Sequence, residues 1–248
     1  METFLNSPPA SVLHDDSLLF HGTSNISEAK FEKDFVASNL PFSLSDVQQI
    51  IAVYDNLRWF GLHTGGYAVL NSFSKVGYSD GERNIYFGET IQRCTLYATQ
   101  DFAGGELVRS IYYAIKDLLR LVSSTEVQKS FKIEYERDPG NWDRPFDLNL
   151  SYLIPRVREL EFLFNSAKTI RESYEYGIVY GLRPKKEDYK NLQFCGSMGI
   201  ILPRNKSAIR PVVKIVYDHD PDIEQQDQMR FERILIWENR TARFGSLS

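Results

Sequence analysis

The pattern that most limits the fold is a change of hydrophobic period along the chain. Between Phe102 and Val122 the apolar residues Leu107, Val108, Ile111, Ile115, Leu118 and Val122 recur at three and four positions, with Arg109, Lys116 and Arg120 elsewhere on the wheel. This spacing predicts an amphipathic helix with one buried face. A second helix is expected from Pro155, a residue suited to the first helical position, through Leu160, Leu163, Phe164, Ala167, Ile170 and Tyr174, with Gly177 as its stop. Beyond Gly177 the period changes. Ile178 to Leu182, Gly199 to Leu202, Val212 to Tyr217 and Arg233 to Trp237 are short β-branched or aromatic runs bounded by Pro, Gly or Asp, which predicts strands.

Upstream, Ser17-Leu-Leu-Phe20 reads as a strand followed by a turn at His21-Gly22-Thr23. Ser43 opens a Ser-x-x-Asp helix start, with Val47, Ile50, Ile51, Tyr54 and Leu57 as its interior face. Further strands are expected at Asn84 to Gly88 and Thr95 to Thr99, a long loop over residues 59–79, and surface loops at 137–149 and 218–229. Strands and helices in mixed rather than alternating order predict an α+β fold, not a doubly wound parallel sheet.

A chain of 248 residues with 42% hydrophobic and 25% charged residues suits one domain over residues 17–248 behind an N-terminal extension, residues 1–16. Its net charge of -4 supplies no global positive field to recruit nucleic acid or anionic lipid. Cys94 and Cys195 lie far apart and outside any C-x-x-C pair, which excludes a disulfide framework and a structural zinc site. The first residues lack the basic start and apolar run of a secretory signal, and no apolar stretch approaches the roughly 20 residues that cross a bilayer. The expectation is a soluble protein without a membrane partner, working in the cytoplasm of its own cell or delivered into another.

The four histidines, at 14, 21, 63 and 219, include no pair at helical i, i+4 spacing, so no metal is expected. There is no G-x-S-x-G elbow, no phosphate loop of the G-x-x-x-x-G-K-[ST] form and no G-x-G-x-x-G opening a helix. Three separated blocks remain: Leu18-Leu-Phe-His-Gly-Thr-Ser24, Thr95-Leu-Tyr-Ala-Thr99 with the helix after it, and Arg230-Phe-Glu-Arg-Ile-Leu-Ile-Trp-Glu238.

In this order the blocks resemble the ADP-ribosyltransferases of the His-Tyr-Glu type, the group of diphtheria toxin, exotoxin A and the poly-ADP-ribose polymerases. The first block is similar to the family's Tyr-His-Gly-Thr, the middle block resembles its Tyr strand, and Tyr112-Tyr113-Ala114 stands where the family has a further Tyr on a helix. The third block is close to Arg-Leu-Glu-x-Ile-Leu-x-Trp. The resemblance covers roughly thirty residues. It implies an ADP-ribosyltransferase-like fold of two small twisted β-sheets with surrounding helices, and NAD as co-substrate.

The resemblance also implies roles. Cleaving the bond between nicotinamide and ribose builds positive charge on the sugar, as in glycoside hydrolysis, and Glu232 is the carboxylate expected to stabilise it. His21 is expected to hydrogen-bond a ribose hydroxyl, Gly22 to present its backbone to the nicotinamide carboxamide, and Thr23 to complete the cofactor-binding segment. Tyr97 and Tyr113 are expected to flank the nicotinamide ring, Tyr113 from a polar flank shared with Arg109 and Ser110. The implied activity is mono-ADP-ribosyl transfer to a protein or nucleic-acid acceptor by an intracellular toxin or a delivered effector, with an antitoxin or chaperone as a further partner. Arg230 stands where arginine-directed relatives have Glu or Gln, so arginine is not the expected acceptor residue.

Other readings of the same residues stand beside these. Taken alone, His21 is a histidine satisfied at a strand end, Tyr97 and Tyr113 are two of 14 tyrosines that pack, and Glu232 is a surface partner of Arg230 or Arg233. Glu238 competes with Glu232, as do Glu134 and Glu136 on one face of an expected strand. His63-Thr-Gly-Gly66 reads as a loop, and residues 183–190 as a solvated charged run. Two further functions fit the same fold: RNA 2'-phosphotransfer, for which the basic segment Arg204 to Lys214 would bind phosphate, and a catalytically inactive interaction protein.

Overall fold

Helices and antiparallel sheets together make the computed structural model an α+β protein, described for residues 18–34, 42–57, 70–71, 84–88, 90–137, 148–184, 193–194, 200–203, 210–217 and 233–236. The chain divides into two compact units, one from residues 1–39, 79–105 and 171–248 and the other from 40–78 and 106–170. Neither is continuous in sequence.

The first unit carries the sheets. Strands β1 (Leu19–Ser24), β3 (Gly177–Arg183), β6 (Arg210–Tyr217) and β7 (Arg233–Ile236) form one sheet in the order β1-β3-β6-β7, antiparallel throughout. Strands β2 (Asn84–Phe87), β4 (Gln193–Phe194) and β5 (Ile200–Pro203) form the second, in the order β2-β5-β4. A bridge joins their ends, the Phe20 and Gly88 backbones exchanging hydrogen bonds of 2.8 Å each way. Strand alternation gives the larger sheet two different faces. On one, Leu19, Ile178, Tyr180 and Leu182 pack with Phe31 of α1 (Asn25–Asp34) and Phe87 of β2. On the other, Phe20, Val179, Val213 and Ile215 pack with Ile91, Cys94 and Ala98.

The sequence predicts a strand over Thr95 to Thr99; the structure corrects this, for the segment that covers that other face is helical. Helix α3 (Ile91–Thr95) continues into a 3-10 turn, Leu96–Ala98. Thr90 caps α3, accepting from the Arg93 amide at 3.4 Å. Ile91, Cys94 and Ala98 are buried at spacings of three and four, a helical period that five residues alone do not reveal. The expected turn at 21–23 is likewise strand: His21, Gly22 and Thr23 pair with Tyr180, Val179 and Ile178. Gly177 is not a helix stop but the first residue of β3. A Cβ there would lie 1.8 Å from the Ala98 carbonyl oxygen, so the 3-10 turn can sit on β3 only because residue 177 has no side chain.

The second unit is helical. Helix α2 (Leu44–Leu57) starts as the sequence predicts: the Ser43 hydroxyl accepts from the Asp46 amide at 3.2 Å, and the Asp46 carboxylate accepts from the Ser43 amide at 2.6 Å. Val47, Ile50, Tyr54 and Leu57 are buried against Val108, Ile111, Ile115 and Leu118 of α4 (Glu106–Ser123), and the Tyr54 hydroxyl donates to the Ala114 carbonyl at 2.8 Å. Helix α5 (Thr125–Arg137) follows, so Glu134 and Glu136 belong to a helix rather than the expected strand, and Glu136 pairs with Lys132 one turn away on the exposed side.

Pro155 is not the first residue of its helix. It lies inside α6 (Leu150–Glu159), whose start is fixed by the Asn149 side chain accepting from the Tyr152 amide at 3.1 Å. Without an N–H, Pro155 leaves the Ser151 carbonyl without its helical donor, and the chain turns at Leu160 before α7 (Glu161–Glu172). The expected strands at 84–88, 178–182, 199–202, 212–217 and 233–237 coincide with β2, β3, β5, β6 and β7 to within two residues at either end. The expected loop over 59–79 lies outside the described residues except at Leu70 and Asn71.

Replacing Gly177 by Ala is expected to destabilise the chain by on the order of 3 kcal/mol or more, because backbone must move. Ser43→Ala, which removes one cap, is expected to cost about 1 kcal/mol. Urea unfolding of both variants measures the contrast; equal small losses would contradict the packing at Gly177.

Candidate functional site

The first and third sequence blocks meet in one sheet. Across its four strands, Thr23, Ile178, Val216 and Arg233 are register partners in turn. Strands β1 and β7 are the two edges of that sheet, three strand spacings apart, or about 14 Å at about 4.8 Å each. Glu232, the residue before β7, lies outside the described residues, as do His63, Glu238 and Trp237.

His21 and Gly22 point to opposite faces of β1. The imidazole lies flat on Phe31 of α1, ring centres 4.7 Å apart and planes within 2°, with Phe87 edge-on at 6.2 Å. Gly22 faces the other way, toward the 3-10 turn: a Cβ there would lie 1.9 Å from the Cys94 carbonyl oxygen and 3.0 Å from Tyr97 Cβ. The structure therefore brings Gly22 and Tyr97 together while the His21 ring stands on the opposite side of the strand. The Tyr97 ring packs on Phe102 at 4.9 Å, and the residue is 41% exposed.

The Tyr97 turn is pinned from below. The Tyr174 hydroxyl donates to the Ala98 carbonyl at 2.9 Å, and Arg171 donates to the Asp101 backbone oxygen at 3.0 Å and its carboxylate at 3.1 Å. Cys94 is a spacer in this packing and not a nucleophile. Its thiol donates to the Phe20 carbonyl at 3.1 Å, and burial pushes its pKa up to about 12 against the opposing pull of the Gly88 backbone, so no thiolate forms near neutral pH.

Tyr113 belongs to the helical unit, on α4, and not to the unit that holds His21 and Tyr97. Its half-buried ring stands edge-on to Tyr112 at 5.1 Å, with the Arg109 guanidinium at 5.3 Å and the Lys116 ammonium at 5.7 Å. Tyr112 borders the apolar face as expected, stacked on Phe164. Ser110 does not share the polar flank: it is buried, with no hydrogen-bond partner for its hydroxyl.

Among the described residues of the sheet unit, the most concentrated polar chemistry lies outside the three sequence blocks. Lys214, buried at the middle of β6, pairs with Glu28 and, at 2.7 Å, with Glu32, both on α1. The two carboxylates also accept from phenols of β3 and its approach: Tyr176 donates to Glu28 at 2.6 Å and Tyr180 to Glu32 at 3.0 Å. One ammonium and two phenols thus share two carboxylates. Burial alone would lower the Lys214 pKa, but the hydrogen bonds and charges of Glu28 and Glu32 outweigh it and raise it. The Glu28 hydrogen bond pushes Tyr176 up to about 12, and burial with the Glu32 charge raises Tyr180 as well. The signal in sequence is a lysine inside the run Val212-Val-Lys-Ile-Val216, where a buried cation demands carboxylates elsewhere. With Lys214 so committed, it is not a phosphate ligand of the basic segment 204–214, and residues 204–209 lie outside the described residues.

Among the described residues no group of His, Cys, Asp and Glu is arranged to hold a metal ion, and no helix is long and apolar enough to cross a membrane. Compared with protein-family models, curated proteins and solved structures, the chain matches none.

Every raised pKa in the Lys214 cluster has the same sign: folding holds a proton that the unfolded chain releases at lower pH. The stability it confers is full below the unfolded values of 10.0 for Tyr and 10.5 for Lys and is lost as pH rises past them. Lys214→Met is expected to cost on the order of 1–2 kcal/mol near neutral pH, because the partly buried Glu28 and the more exposed Glu32 lose their cation. Denaturant unfolding across the alkaline range should show that deficit shrinking above about pH 10.5; a deficit independent of pH would contradict the assignment.

Proposed function

We propose that the chain is an NAD-dependent mono-ADP-ribosyltransferase that moves ADP-ribose to a macromolecular acceptor and releases nicotinamide. The observation that carries this reading is topological. The His-Gly-Thr strand and the strand that begins one residue after Glu232 belong to one four-stranded antiparallel sheet, although about two hundred residues separate them. A second small sheet, bridged to the first beside His21, fits the two-sheet fold the resemblance implies.

Strand β1 is an edge strand, and among the described residues no strand pairs with it on the outer side beyond the Phe20–Gly88 bridge. A ligand laid across that edge reaches both faces. His21 addresses the ribose hydroxyls from one, with Thr23 two residues on. Tyr97 offers its ring to nicotinamide from the other, and the missing side chain of Gly22 lets the turn that carries Tyr97 pack against β1.

Because residues 95–98 are helical, Tyr97 offers its ring from the turn that packs on β1 rather than from a strand. As the glycosidic bond lengthens, the electron pair leaves with nicotinamide and the ribose becomes cationic; the Glu232 carboxylate stabilises that charge and orients the acceptor nucleophile. The acceptor then bonds to the anomeric carbon and gives up its proton. As an intracellular toxin or delivered effector, such an enzyme would require an antitoxin or chaperone to hold it inactive in the cell that makes it.

Incubation of the full chain with labelled NAD and cell lysate tests the reading. Label should pass to an acceptor destroyed by protease or by nuclease, and Glu232→Ala should lower transfer by on the order of 10²-fold or more. Tyr97→Ala should raise KM for NAD by about tenfold, the scale of a lost aromatic contact. Transfer by Glu232→Ala at the wild-type rate would refute the mechanism.

A further inference from the structure

The proposed roles of His21 and Glu232 leave unused the row of side chains on the α1 face of the four-stranded sheet. His21, Tyr180 and Lys214 are register partners on β1, β3 and β6, so they stand side by side on that face. Phe31 of α1 covers the row. Its ring lies 4.7 Å from the His21 imidazole, with planes within 2°, and 4.7 Å from the Tyr180 ring, with planes at 24°. Phe31 is buried, three residues after Glu28 and one before Glu32, so all three project from the same side of the helix.

The plane of the imidazole thus depends on Phe31, Phe31 depends on where α1 lies, and α1 is fastened by Lys214 through Glu28 and Glu32. The start of the helix is fastened separately. The Asn25 amide donates to the Tyr176 carbonyl at 3.1 Å, its side-chain amide donates to the Ser173 carbonyl at 3.1 Å, and its side-chain oxygen accepts from the Glu175 amide at 3.2 Å. Further along, the described polar ties of this ten-residue helix run through Glu28 and Glu32 to Lys214 and to the phenols of Tyr176 and Tyr180, and helices so short are marginal by themselves.

We infer that Lys214, Glu28 and Glu32 are positioning residues for His21, holding Phe31 so that the imidazole meets the ribose of NAD in one fixed plane. The physical gain is preorganisation: a ring already held flat loses no rotamer freedom when ligand arrives, and small misplacements of a positioned group are costly. The identity of the ligand rests on the proposed NAD reading, whereas the orientation of the ring does not.

The test uses the full chain labelled with carbon-13 in histidine, the His21 resonance being the one lost in His21→Gln. In the wild type its ring protons should be displaced upfield by the stacked Phe31 ring. Phe31→Leu, which keeps an apolar side chain and leaves the ion cluster in place, should remove the displacement, and Lys214→Met should reduce it while circular dichroism still reports a folded chain. In both variants KM for NAD should rise about tenfold with kcat changed less than about threefold, the split expected of lost positioning. If Lys214→Met fails to fold, Glu32→Gln takes its place with the same expected outcome. Unchanged His21 resonances in folded variants overturn the inference, as does a lost displacement with unchanged KM. A wild-type chain without NAD turnover overturns the NAD reading instead, and the resonances then still decide whether the clamp orients the ring.

Discussion

A lysine buried at the middle of a sheet strand cannot stand alone, and much of the sheet unit follows from meeting that demand. Desolvating an unpaired ammonium costs several kcal/mol, so Lys214 requires carboxylates within reach. They come from Glu28 and Glu32, one turn apart on α1. The pairing sets where the helix lies along β6, which brings Phe31 over β1 and β3 and closes the core cluster of Leu19, Ile178, Tyr180 and Leu182. The surplus carboxylate charge is met by the phenols of Tyr176 and Tyr180. A polar cluster of this kind contributes less through net energy than through specificity, since the helix has one register in which every member is satisfied.

How much of this is legible in the sequence depends on how far each interaction reaches along the chain. The Ser43–Asp46 capping box and the apolar stripe of α4 are local, and the structure has both where the pattern puts them. The C-terminal strands are legible because β-branched runs between breakers have few other outcomes. Helix α1 is not, because its apolar content is low and its reason for being helical lies in Lys214, nearly two hundred residues away. The helical state of residues 91–98 is hidden for a related reason: Leu96-Tyr97-Ala98 has the composition of a strand until Ile91 and Cys94 are included, and their burial is decided by β1 and β3. Pro155 misleads because proline favours the first turn of a helix, while the Asn149 cap has already begun one five residues earlier.

The candidate site is legible in part. The short motifs point to β1 and β7, and the sheet unites those two strands. What the motifs cannot convey is facing. Strand alternation turns His21 and Gly22 to opposite sides, and the bareness of Gly22 is already used by the Cys94 carbonyl and Tyr97 Cβ. Neighbours in sequence therefore do different work, one stacking on a helix and the other admitting a turn against the strand. The tyrosine on α4, chosen by its helical position, falls in the other unit, a division that no window of sequence reveals.

The interleaving of the two units has a consequence for how the protein comes into being on the ribosome. The chain passes between them at residues 39/40, 78/79, 105/106 and 170/171, and β1 waits for β3, then β6, then β7 before its sheet is complete. Contacts this distant in sequence carry a large loop-closure cost and slow folding. The helical unit, whose segments end at Ile170, can collapse during synthesis, whereas the sheet stays unfinished until translation reaches its last strand. For a nascent polypeptide, the half-built sheet is an aggregation-prone interval, and any activity that needs both of its edges begins only after it closes.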